Sequence, residues 1–82
     1  MSNTSGIPMV VARPGALNDA IDAAKTSVRA LAPETGVSRS TISNVASRPG
    51  YGIRKDKAER IAAALGVPAR QLFVHRDGAE LA

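Results

Sequence analysis

The stretch GVSRSTISN, from Gly36 to Asn44, sets Ser38, Arg39, Ser40, Thr41, Ser43 and Asn44 around two apolar residues, Val37 and Ile42. A solvated helix face is normally built from Glu, Lys and Gln, which lose little rotamer freedom there. Ser, Thr and Asn compete with the backbone for hydrogen bonds and are mediocre inside helices. Helix stability did not choose these residues.

Working outward, the residues on either side fall into short amphipathic helices. Leu17, Ala20, Ile21 and Ala24 recur at helical spacing and predict a first helix after Pro14-Gly15. Thr26-Ser27 can cap a second, striped by Val28, Leu31, Ala32 and Thr35, and Gly36 stops it where a positive φ is cheap. Ser38 can cap a third, with Ile42, Val45 and Ala46 inward and Pro49-Gly50 closing it. RPGYGIR, residues 48–54, reads as a basic glycine-rich loop. Ala58, Ile61, Ala62 and Leu65 mark a fourth helix ended by Gly66; Pro68 opens a fifth, PARQLFV, with Ala69, Leu72 and Phe73 as its stripe. No stretch alternates with period two over a useful length. The expected fold is therefore all-α, five helices over residues 15–74, with a flexible N-terminal arm over 1–14, in which a short strand around Met9-Val10-Val11 is an option, and a polar, fraying tail over 75–82.

Composition bounds the chemistry. The 82 residues carry no cysteine, so neither a disulfide nor a thiolate metal site is open to them, and His75 is the one histidine. No constellation for catalysis and no cofactor or metal site is expected. No apolar run approaches a membrane span and the first residues lack the basic start of a signal peptide, which points to the cytoplasm and to no membrane partner. Charge is unevenly placed. Arg39, Arg48, Arg54, Lys55, Lys57 and Arg60 face only Asp56 and Glu59 between residues 39 and 60, whereas cations and carboxylates balance elsewhere, so this segment holds the whole net charge of +4. Beside so many short polar donors, such a segment favours an anionic partner over a merely solvated face.

Around Gly36 the spacing meets the demands of a helix-turn-helix: small Ala32 lets two helices cross closely, glycine makes the turn, and Ile42 and Val45 pin the second helix while its other side stays free. SVRALAPETGVSRSTISNVAS followed by KAERIAAALGVPARQLF resembles the Cro/CI-type (XRE) family of phage and bacterial repressors, over about 60 residues. The resemblance implies that the third helix enters the DNA major groove. By position, Arg39, Ser40, Ser43 and Asn44 would meet base edges, arginine pairing bidentately with guanine and asparagine with adenine. Ser38, Thr41, Ser47, Arg48, Arg54, Lys55 and Lys57 would grip phosphates. Three positions depart from the family: Val28 stands where a phosphate-touching glutamine is common, Pro33 falls inside helix two and should kink or shorten it, and Thr35 replaces a usual leucine.

Plainer readings stand beside these. Ser38 and Thr41 could be capping groups only, Tyr51 could stack on DNA or pack over the core, and His75 would be a solvated tail residue. The resemblance implies a Cro-like repressor, not an enzyme, that occupies an inverted-repeat operator in double-stranded DNA as a homodimer, with completion of the pairing on DNA as an option. Leu72, Phe73 and Val74 would form the dimer contact, with Leu81 and the Met9-Val10-Val11 arm as additions. Little chain is left for a sensor domain, which suits a phage origin. An antitoxin that also binds a toxin, and a protein-interaction module on the same fold, are the alternatives.

Overall fold

Val10 is fully buried at the centre of the structure, and this decides how the chain is organised. The computed structural model describes residues 9–81. Strand β1, Met9–Ala12, is followed by helices α1, Ala16–Ala23, α2, Val28–Thr35, and α3, Arg39–Ser47. Then come β2, Gly52–Arg54, α4, Lys55–Leu65, α5, Ala69–Leu72, and β3, Phe73–His75. The helices pack as expected, but the fold is not all-α. A three-stranded antiparallel sheet in the order β2-β1-β3 closes one side.

Strand β1 lies in the middle, pairing Val10 with both Ile53 and His75, Val11 with Gly52 and Val74, and Ala12 with Phe73. Partners across an antiparallel pair share a face. Val10, Ile53 and Phe73 therefore point inward together, each almost inaccessible, while Met9, Val11, Gly52, Arg54 and Val74 form the outward face. On the helices the most deeply buried large side chains are Leu17, Leu31, Ile42, Ile61 and Leu72. The strand offered around Met9-Val10-Val11 is present as β1, but period two gave no sign of β2 and β3, which are three residues long each. Phe73 belongs to a strand, not to a helical stripe, and α5 is a single turn.

The C-terminal segment also folds back. His75 donates its N–H to Ala79, Asp77 accepts from the Ala79 N–H at 3.0 Å, and Glu80 bridges to Val74, which brings Leu81 into the core at 5% exposure. Residues 9–12 and 75–81, expected in an arm and a fraying tail, thus contribute to the same core; residues 1–8 and 82 lie outside the described ones.

Candidate nucleic-acid interface

The turn between α2 and α3 is built from side chains as well as from Gly36, whose φ of 74° admits the reversal. Thr35, 6% exposed, donates its hydroxyl to the Leu31 carbonyl at 2.8 Å and accepts the Val37 N–H at 3.1 Å. A leucine there could do neither. α2 runs through Pro33, which leaves the Arg29 carbonyl without its helical donor, and ends two residues later. Ser27 accepts the Ala30 N–H and caps α2, as expected of it.

Ser38 accepts the Thr41 N–H at 3.2 Å and caps α3, while its own hydroxyl donates to Thr41 Oγ1 at 2.9 Å. The outgoing donor of this pair is therefore the Thr41 hydroxyl. Ser47 donates to the Ser43 carbonyl at 2.7 Å, so it must give up that bond before it can donate to a phosphate. Ile42 and Val45 are buried, which fixes the opposite side of α3 toward solvent. There Arg39, Ser40 and Ser43 are exposed and Asn44 is half-buried at the edge. Among the described residues neither the Arg39 guanidinium nor the Asn44 amide is engaged by another part of the chain. The hydroxyls, amide and guanidinium of this face are available to an external partner.

Arg29, which sequence reasoning passed over, borders the same shallow hollow as Val28, Arg39, Ser40 and Ser43. It stands next to Val28 at the start of α2, and that adjacency was the signal available. Arg48 lies in a second hollow at the far end of α3 with Arg13, Asn18 and Ser47, where Asn18 ties α1 to α3 through the Ala46 carbonyl at 3.3 Å. The first turn of α4 has no side-chain cap; Arg54 occupies the cap position, with Lys55 and Lys57 following. Cations at a helix N-terminus are opposed by the helix dipole, and a bound anion relieves both.

Arg60 is the cation of the basic segment that faces elsewhere. Its guanidinium lies by Gly36 and borders a hollow with Glu34, Thr35, Ala63 and Ala64, near the negative end of α2. Tyr51 packs against the core. Leu72 and Phe73, expected at a dimer contact, are 2% and 0% exposed and belong to the protomer's own core, as does Leu81; Val74 alone of the expected trio keeps accessible surface. Val10 is lost to that contact for the same reason. No helix among the described residues is long and apolar enough to cross a membrane, and no group of three or more His, Asp or Glu side chains among them could hold a metal.

The family model for helix-turn-helix domains of the XRE type matches residues 17–72, most of the chain, from the second residue of α1 to the end of α5. The chain belongs to the Cro/CI-type (XRE) helix-turn-helix family. No curated protein and no solved structure matches it significantly. An XRE-type domain is a DNA-binding transcription regulator. The matched span holds β2 but leaves out β1 and β3, so two of the three strands lie outside the part by which the XRE family is recognised.

Proposed function

We propose that this protein is a sequence-specific repressor of the Cro kind, working without cofactor or catalysis, with α3 in the major groove of its operator. The observation that carries the reading is the unengaged set Arg39, Ser40, Ser43 and Asn44 on one side of α3, opposite buried Ile42 and Val45. Arg39 and Asn44 supply bidentate base readout, and the short serines let the helix approach closely. Ser38, Thr41, Ser47, Arg48, Arg54, Lys55 and Lys57 surround that face as backbone contacts, joined by Arg29 from α2. Repression follows from occupying a promoter.

One recognition helix spans too few base pairs to define an operator among genomic competitors, so two copies bind an inverted repeat with half-site centres about 10 base pairs apart. With Leu72 and Phe73 inside each protomer, their pairing rests on surface residues and is completed on the DNA. Selection of bound duplexes from a random pool, followed by footprinting and stoichiometry, tests both statements. An enriched inverted repeat protected by two chains is expected. A pool without enrichment would overturn sequence-specific recognition, and one chain protecting an asymmetric site would overturn the dimer.

A further inference from the structure

Gly52 is the one described glycine where an added Cβ would collide with another side chain: it would come within 2.6 Å of Arg76 Nη2 and 3.4 Å of Cζ and Nε. Its backbone is not in the left-handed region, so no turn requires glycine there. What the missing side chain provides is room for a guanidinium laid flat on the outward face of the sheet. Arg76 follows β3 directly and reaches across central Val11, which pairs with both Val74 and Gly52, to lie on β2.

Two residues further along β2, on the same face, stands exposed Arg54. Alternate residues of a strand are about 7 Å apart, so the Arg54 side chain rises from the position on that face next to the one that the Arg76 guanidinium covers. Among the described residues neither has a carboxylate partner; the one ion pair is Arg13 with Glu80 at 3.7 Å, and Asp77 is turned to the Ala79 N–H. Met9, Val11 and Val74, half-buried, form the apolar floor beneath the pair. Two like charges held side by side without a counter-charge repel each other, and an anion placed between them reverses the sign of that interaction.

The position of the pair says which anion. β2 runs without a break into α4, whose first turn carries Lys55 and Lys57, and β1 packs against α3. Arg54, which ends β2 and caps α4, therefore joins the outward sheet face to the basic first turn of α4. We propose that Arg54 and Arg76 grip the phosphate backbone of the same duplex that α3 reads, so that the contact surface extends onto the sheet, outside the helix-turn-helix span itself. Arg76 is the new member, from a segment with no helical pattern to call attention to it. This rests on the reading of α3 as a DNA-binding helix.

The test uses the full chain and two duplexes, the selected operator and a mixed-sequence duplex of equal length, with affinity measured across a salt series. Arg76→Gln is expected to weaken both duplexes equally, roughly two- to five-fold at moderate salt, as an exposed charge contact does. It should also reduce the slope of log K against log salt by about 0.9 per protomer. Gly52→Ala displaces the guanidinium and should weaken binding in the parent while having no effect in the Arg76→Gln background. The thermal midpoint of Arg76→Gln, measured alongside, separates a packing role: an unchanged salt slope, with or without lost stability, overturns the proposal. If Arg76→Gln leaves the slope intact while Arg39→Ala abolishes operator preference, the sheet contact fails and the α3 reading survives. If the parent binds neither duplex, both fall.

Discussion

The Thr35 hydroxyl accepts the N–H of Val37 across Gly36 while donating to the Leu31 carbonyl, so one buried side chain closes both ends of the turn that aims α3. The cost of losing it follows from the groups left behind. Thr35→Val keeps shape and volume but strands a buried N–H, which should cost about 1–3 kcal/mol in denaturant unfolding. Thr35→Ser retains the oxygen and should lose less. If Thr35→Val matches the parent in midpoint, the hydroxyl is not what holds the turn.

Arg39→Ala and Asn44→Ala should each weaken operator binding by roughly 1–3 kcal/mol and relax preference at one or two base pairs. Binding to mixed-sequence DNA should change less, because that is dominated by phosphate contacts. Titration against single-base variants of the selected operator reads this directly, and unchanged preference in both variants would mean that another surface reads the bases.

The cations of the basic segment divide by position. Lys55→Gln and Lys57→Gln should each flatten the dependence of log K on log salt by about 0.9 per protomer without shifting the consensus. Arg60→Gln, whose side chain turns to the end of α2, should leave the slope alone and lower stability slightly. Equal slopes for all three variants would contradict the division.

Substitutions at the junction of α5 and β3 should act through folding. Phe73→Ala removes a ring with no exposed surface and should cost about 3–5 kcal/mol. Leu72→Asp should unfold the protomer, not produce a folded monomer defective in pairing. Circular dichroism with sedimentation distinguishes the two, since a native spectrum from monomeric Leu72→Asp would return Leu72 to the surface.

The helices were legible because their information is local. Leu17, Ile21, Leu31, Ile42, Ile61 and Leu65 stand at helical spacing, and Ser27, Ser38, Gly36 and Gly66 cap or stop their helices where the residue types say they should. The α3 face was legible for the same reason, since buried Ile42 and Val45 determine which residues turn outward. The sheet was not. Val10, Ile53 and Phe73 each lie in segments too short to show alternation, and what makes them inward-facing is one another. Leu72 and Phe73 looked available for pairing two copies because the partner that covers them comes from the other end of the sequence. Arg60 was counted with the basic segment yet turns to Gly36 for a related reason: a net charge along the chain does not tell which side of the molecule each cation reaches.

The central place of β1 also sets an order of events. Ala12 meets Phe73 across about 60 intervening residues, while the helices form from neighbours close along the chain. Local contacts form quickly and distant ones wait on loop closure, so the helical bundle precedes the sheet. Until residues 73–75 are made and docked, Val10 and Val11 remain an apolar strand with one edge unpaired, a template for joining another chain. A nascent or truncated product that stops before Phe73 would carry α3 already formed and still be prone to aggregate. For this protein, a strand made after all the helices decides whether one made before them is safe.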